Sequence, residues 1–291
     1  MIWLVFALFA ALTTAAYRVV TRHVMKAHSP YAYALLINLI GSFFTLPLIW
    51  TDFSWDLMPT HWWAWLLVAA STALWCIIMV LAFTTMKLLP VSRREQISQV
   101  EIVFVVIFGL LFLREHIAVS KVVGAILVIG GAFVAAVGKT SIHNGWRSRG
   151  VWLTVAVASL YALVAIVDKA ALAYFPTGLY TFMLYFFPFV VLSAFLFMKR
   201  NRVATKHLIE KKRWVVVGAT AFSVASYYLG LRAYDLADAS TVYPILKLSL
   251  VFAVIGGLVF FKEERVQIPR KLIATVLVLI GAGIIAGGAL W

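Results

Sequence analysis

Cysteine is nearly absent. Cys76 is the single one among 291 residues, so no intrachain disulfide can form and thiolate metal sites are excluded. A lone Cys inside an apolar run reads as a small packing residue. Charge is also scarce, at 12% of the chain, and acids most of all: 11 Asp and Glu stand against 25 Lys and Arg. That excludes the polar surface a soluble domain of this length carries. The six histidines (His23, His28, His61, His116, His143 and His207) are scattered, with no His-x-x-x-His or His-Glu-x-x-His pair. No Gly-x-Ser-x-Gly and no Gly-x-x-x-x-Gly-Lys-Ser/Thr occurs either. These absences argue against an enzyme: no catalytic residue, metal site or cofactor is expected, and nothing points to ATP hydrolysis.

Apolar residues are abundant, at 64%. A helix needs roughly 20 of them to cross about 30 Å of hydrocarbon. Spans fall at about 2–20, 31–50, 62–84, 92–113, 121–138, 150–168, 178–198, 214–231, 240–261 and 271–290. Long runs such as Val122–Val137 and Leu272–Leu290 imply helices rather than a barrel. The expected fold is therefore an all-α membrane protein of ten transmembrane helices, with no room for a soluble domain. The first run lacks a basic leader, with Arg18 and Arg22 following it, so it reads as a span and not a signal peptide.

The halves echo each other. An offset of about 148 residues pairs Ser92 with Ser240, Gly109 with Gly257, Arg114 with Lys262 and Glu115 with Glu263. A similar offset pairs Arg22 with Lys169 and Tyr33 with Tyr180. The order recurs: a short polar start, a long apolar run with Gly inside, a basic–acidic close, then a Gly-rich span. Five spans per repeat is an odd number, so the second repeat enters the membrane inverted. Residues 1–140 are read as the first five-helix repeat, 141–149 as a basic linker and 150–291 as the second repeat. Inverted repeats of this kind recur in secondary transporters, with the substrate site near mid-membrane between them.

This layout resembles the drug/metabolite transporter superfamily in its EamA-type, ten-helix form. The marks are Arg114-Glu115 and Lys262-Glu263 closing the fourth and ninth spans, Asp168-Lys169 closing the sixth, and the Gly-rich fifth and tenth spans. The resemblance covers essentially the whole chain. It implies a helical inverted repeat around a central cavity and solute exchange by alternating access, without ATP. Relatives commonly carry Pro about 14 residues before the closing Glu. Here Glu101 and Ser249 stand there, while Pro90 precedes the fourth span and Pro244 lies early in the ninth.

Polar side chains at membrane depth face a cavity or a partner. In the fourth span Arg94, Ser98 and Glu101 share a helical face, with Glu95 and Gln99 on the adjacent stripe. The ninth span brings Ser240, Thr241, Tyr243, Lys247 and Ser249. Gln99 and Lys247 are mates in the repeat, as are Glu101 and Ser249. Lys247, deep in an apolar run, is the leading candidate for the substrate pathway. Glu101 either pairs with it or carries a coupling proton. Tyr17 and Arg18 near the end of the first span, Asn38 and its repeat mate Tyr185, and Tyr161 complete the candidate pathway. Arg93, Arg94 and Glu95 also suit an interfacial cluster. Asp168-Lys169 reads as a helix-end pair that holds register.

The +14 net charge is expected to set orientation rather than to bind nucleic acid. Lys and Arg crowd the odd-numbered loops, from Arg22 and Lys26 after the first span to Lys262 and Arg265 after the ninth. The even-numbered loops hold only Arg114, Lys121, Lys169 and Arg232. The positive-inside rule puts the odd loops in the cytoplasm of a cell membrane and both termini outside, whereas the resemblance implies termini inside. The functional expectation is a secondary transporter of a small organic metabolite, an amino acid or similar carboxylate or zwitterion. Export of hydrophobic cations or sugar conjugates, or a scaffold or lipid scramblase role, stays open. The partners expected are the substrate, the lipid bilayer and a coupling proton, with the chain a monomer or homodimer.

Overall fold

A computed structural model describes residues 2–25, 28–52, 61–88, 97–98, 100–114, 119–136 and 149–249, with isolated positions between 252 and 284. All the regular elements there are helical: α1 Ile2–Met25, α2 Pro30–Asp52, α3 Trp62–Leu88, α4 Val100–Leu113, α5 Val119–Ala136, α6 Arg149–Ala171, α7 Thr177–Ser193, a 3₁₀ turn Ala194–Phe197, α8 Lys199–Leu236 and α9 Ala239–Leu246. Helices are what such a sequence must form, because hydrocarbon offers no partner for a free N–H or C=O. Five segments are long and apolar enough to cross a bilayer: Pro30–Trp50, Trp62–Met79, Arg149–Ala171, Thr177–Phe197 and Lys199–Leu236. Ile2–Arg18, Val100–Leu113 and Val119–Gly131 are shorter apolar helices. The outward faces of α2, α4 and α5 carry exposed Phe43, Trp50, Leu111, Phe112 and Ile126, surface that only lipid would cover at low cost. The linker and most of the tenth span lie outside the described residues.

The packing maps onto itself when the halves are exchanged. Helix α1 packs on α8, and its counterpart α6 packs on α3. Contacts of α1 with α9 match those of α6 with α4, and contacts of α2 with α8 match those of α7 with α3. The α2–α7 and α4–α9 contacts are their own counterparts. The pattern reaches single hydrogen bonds. The Tyr33 hydroxyl meets the Thr21 hydroxyl at 2.6 Å, and Tyr180 donates to the Asp168 carboxylate at 2.7 Å, each pair twelve residues apart in sequence. Tyr33 and Tyr180 are repeat mates, and the same offset carries Thr21 onto Asp168.

One expectation needs correction. The basic stretch after the seventh span is not a loop but the first third of α8, which runs 38 residues. Its Lys, Arg and Glu are good helix formers. Asn201 Nδ2 and Arg202 Nε cap the preceding turn, donating to the Phe195 and Leu196 carbonyls at 2.9 and 2.8 Å. Leu208 is fully buried in a cluster with Val24, Ala32 and Tyr33. At the α1–α2 turn the His28 ring lies 5.3 Å from that of His207. The α8 path breaks at Lys212, where φ is −139° and ψ 18°, before its apolar part begins. At the other end of the fold Arg114 terminates α4 with φ 52°, the left-handed conformation that commonly ends a helix.

Candidate functional site

Helix α9 holds Pro244 and becomes irregular just after it. Pro244 has no N–H to give, and the ladder tightens just after it: Leu248 N donates to the Ile245 carbonyl at 3.0 Å instead of four residues back. Lys247 sits at this irregular point. Tyr243 and Lys247, four residues apart, come onto one face, and the ammonium lies 5.0 Å from the Tyr243 ring centroid. Opposite them, the first turn of α4 carries Glu101, which is 2% exposed. Lys247 Nζ donates to Glu101 Oε2 at 2.5 Å, and the Tyr243 hydroxyl donates to Glu101 Oε1. Three of the expected site residues thus form one buried group, contributed by both halves. Ser98, half-buried, lies one turn before Glu101.

A second group gathers on α1. Tyr17 stands among the hydroxyls of Thr21, Tyr33 and Tyr161 and beside Arg18. Arg18 Nη1 is buried with no hydrogen-bond partner among the described residues. Ser249 Oγ, the repeat mate of the Glu101 position, is likewise buried without one. Tyr161 meets Trp75 edge-on at 5.8 Å, and Trp75 meets Tyr227 edge-on at 5.6 Å. These rings join α1, α6, α3 and α8.

Asn38 and Tyr185 each have protein partners. Asn38 Nδ2 donates to the Ala34 carbonyl of its own helix at 2.8 Å and reaches Met79 Sδ at 3.8 Å. The Tyr185 hydroxyl meets Ser223 Oγ at 2.9 Å, and its ring lies over Gly41. Arg93, Arg94, Glu95, Gln99, Glu115, Lys262 and Glu263 lie outside the described residues.

Asp168 and Lys169 are not a helix-end pair. Successive residues on a helix point about 100° apart, and here they serve different partners. Lys169 Nζ donates to the Tyr234 carbonyl. Asp168 accepts from Ser71 Oγ and the Tyr180 hydroxyl, both at 2.7 Å, and from the Tyr227 hydroxyl at 2.5 Å. Trp75 Nε1 in turn donates to Tyr227 at 3.0 Å. The sequence held a signal for this, since the offset that aligns Tyr33 with Tyr180 puts Asp168 opposite Thr21. A further link between the halves joins Lys121 of α5 to Asp238 at 2.6 Å and to Ser240 at 3.4 Å. Among the described residues no three His, Cys, Asp or Glu side chains gather as a metal site would need.

The model of the EamA-like transporter family matches residues 1–137 and again 148–287. The chain belongs to that family, and so is a multi-pass membrane transporter of the drug/metabolite type. A solved structure titled "Crystal structure of protein" superposes with a TM-score of 0.72 over 97% of this chain and 95% of its own, at 14% identity, which shows the shared fold. No curated protein matches the chain.

Proposed function

We propose that the chain is a secondary transporter that moves a small organic carboxylate or zwitterion by alternating access. The observation that carries this reading is the Glu101–Lys247 pair, buried between the halves beside a break in α9. Irregular helices at the repeat interface are where transporters of this build hold their ligands. A substrate carboxylate competes with Glu101 for the Lys247 ammonium, and a substrate amine takes the released Glu101. Tyr17, Arg18, Ser98, Tyr161 and Tyr243 are the proposed walls, with Asn38 and Tyr185 holding the helices behind them. Arg94 and Gln99, outside the described residues, are proposed to join the pathway on the sequence pattern.

Counterflow into proteoliposomes tests the reading. Amino acids and small carboxylates should be exchanged, their amides and esters should not, and Lys247→Met should reduce exchange at least tenfold. Exchange of organic cations with Lys247→Met unaffected would overturn it. Orientation follows the basic loops, which places both termini outside. A reporter fused after Trp291 should be active only outside the cytoplasm, and activity inside reverses the assignment.

A further inference from the structure

Among the described residues Asp168 is a buried acid, 1% exposed, with no basic partner. All its contacts are hydroxyl donors, and they come from three helices: Ser71 of α3, Tyr180 of α7 and Tyr227 of α8. Helices α4 and α9 also pack on α6, but their titratable groups Glu101, Tyr243 and Lys247 bond one another. Two of the hydrogen bonds in this cluster join one half of the molecule to the other: Ser71 to Asp168, and Trp75 to Tyr227.

A carboxylate offers about four lone-pair sites. Three are used, leaving one on Oδ2. A proton needs only one such site. An uncompensated charge in a buried site is expensive, and hydroxyl donors offset only part of the cost. Protonation removes the charge and weakens Asp168 as an acceptor, so the Ser71 bond slackens. Tyr227 loses its charged partner at the same moment, and with it the fixed orientation that lets it accept from Trp75. Glu101 is less suited to this task, because protonating it strands the Lys247 ammonium in a buried site.

We propose that Asp168 binds and releases a proton, and that its occupancy controls the contact between the two halves. On the transport reading above, this makes Asp168 the coupling group.

Two readouts on the purified full chain in lipid nanodiscs test it, with protons as the probe. Infrared difference spectra across a pH titration should show a protonated-carboxyl band that disappears in Asp168→Asn and survives in Glu101→Gln/Lys247→Met. The rate at which maleimide labels Cys76, one residue from Trp75, should change with pH beyond the change seen for free cysteine. That excess should vanish in Asp168→Asn. If Asp168→Asn does not fold, Tyr227→Phe serves instead, since losing a donor to a titrating carboxylate moves the midpoint of both signals by about one pH unit or more. A band that persists in Asp168→Asn, or a midpoint indifferent to Tyr227→Phe, overturns the proposal. Both signals present without any solute exchange would sink the transport reading and leave the proton site standing. Solute exchange without either signal would do the reverse.

Discussion

Glu101→Ala should cost the folded chain about 3–5 kcal/mol, because it leaves the Lys247 ammonium buried without its carboxylate. Thermal denaturation in nanodiscs would show this as a large fall in midpoint. The double variant Glu101→Gln/Lys247→Met removes both charges and should regain most of the lost stability, since a well-packed neutral pair is often as stable as a buried ionic one. Solute flux should not return with it. The two readouts separate the roles of the pair: recovery of flux together with stability would mean that the charges only hold α4 against α9. Tyr243→Phe should have a smaller effect on both, since Lys247 still holds Oε2 after the hydroxyl on Oε1 is lost.

Gly41→Val should be the most damaging change away from any charge. A Cβ at Gly41 would stand 2.3 Å from Tyr185 Cδ1 and 2.7 Å from Cε1. These are atoms of a stiff ring, tethered at its far end to Ser223 and edge-on to Tyr227 at 6.3 Å. The ring has nowhere near to go, so α2 and α7 must separate. Overpacking of this kind costs about 1–3 kcal/mol, or more where backbone must move. Tyr185→Ala in the same chain should restore part of the loss by making room. A Gly41→Val chain that melts where the wild type does would show that α2 and α7 part there at little cost.

The Glu101 group was within reach of the sequence because its parts obey short rules. Tyr243 and Lys247 are four residues apart, and the repeat offset puts Glu101 at a comparable depth in the other half. Asp168 was misread because Lys169 stands next to it, and adjacency in sequence is the wrong metric on a helix. Its true partners lie 97, 12 and 59 residues away, and only tertiary packing brings them in. The partners of Tyr185 were hidden for a related reason. Its position matched that of Asn38, but the small residue that receives its ring sits on a different helix. The helical start of α8 was hidden by its charge, which reads as a loop when hydropathy alone marks the ends of spans. The ion pair between Lys121 and Asp238 could not be seen at all, since nothing local ties the start of α5 to the start of α9.

The break at Lys212 has a consequence for how the chain is made. Between Lys199 and Arg213 there are seven Lys and Arg, each costing about 2.5–3.5 kcal/mol at the centre of a bilayer. An emerging α8 therefore cannot partition as one rod. Only Trp214–Leu236, roughly 23 residues rising about 34 Å, is suited to leave the translocon sideways. The basic third stays behind at the surface on which it was synthesised. Co-translational insertion thus fixes the direction of α8 at a single point, before α9, which must pair with α4 of the first half, has been made.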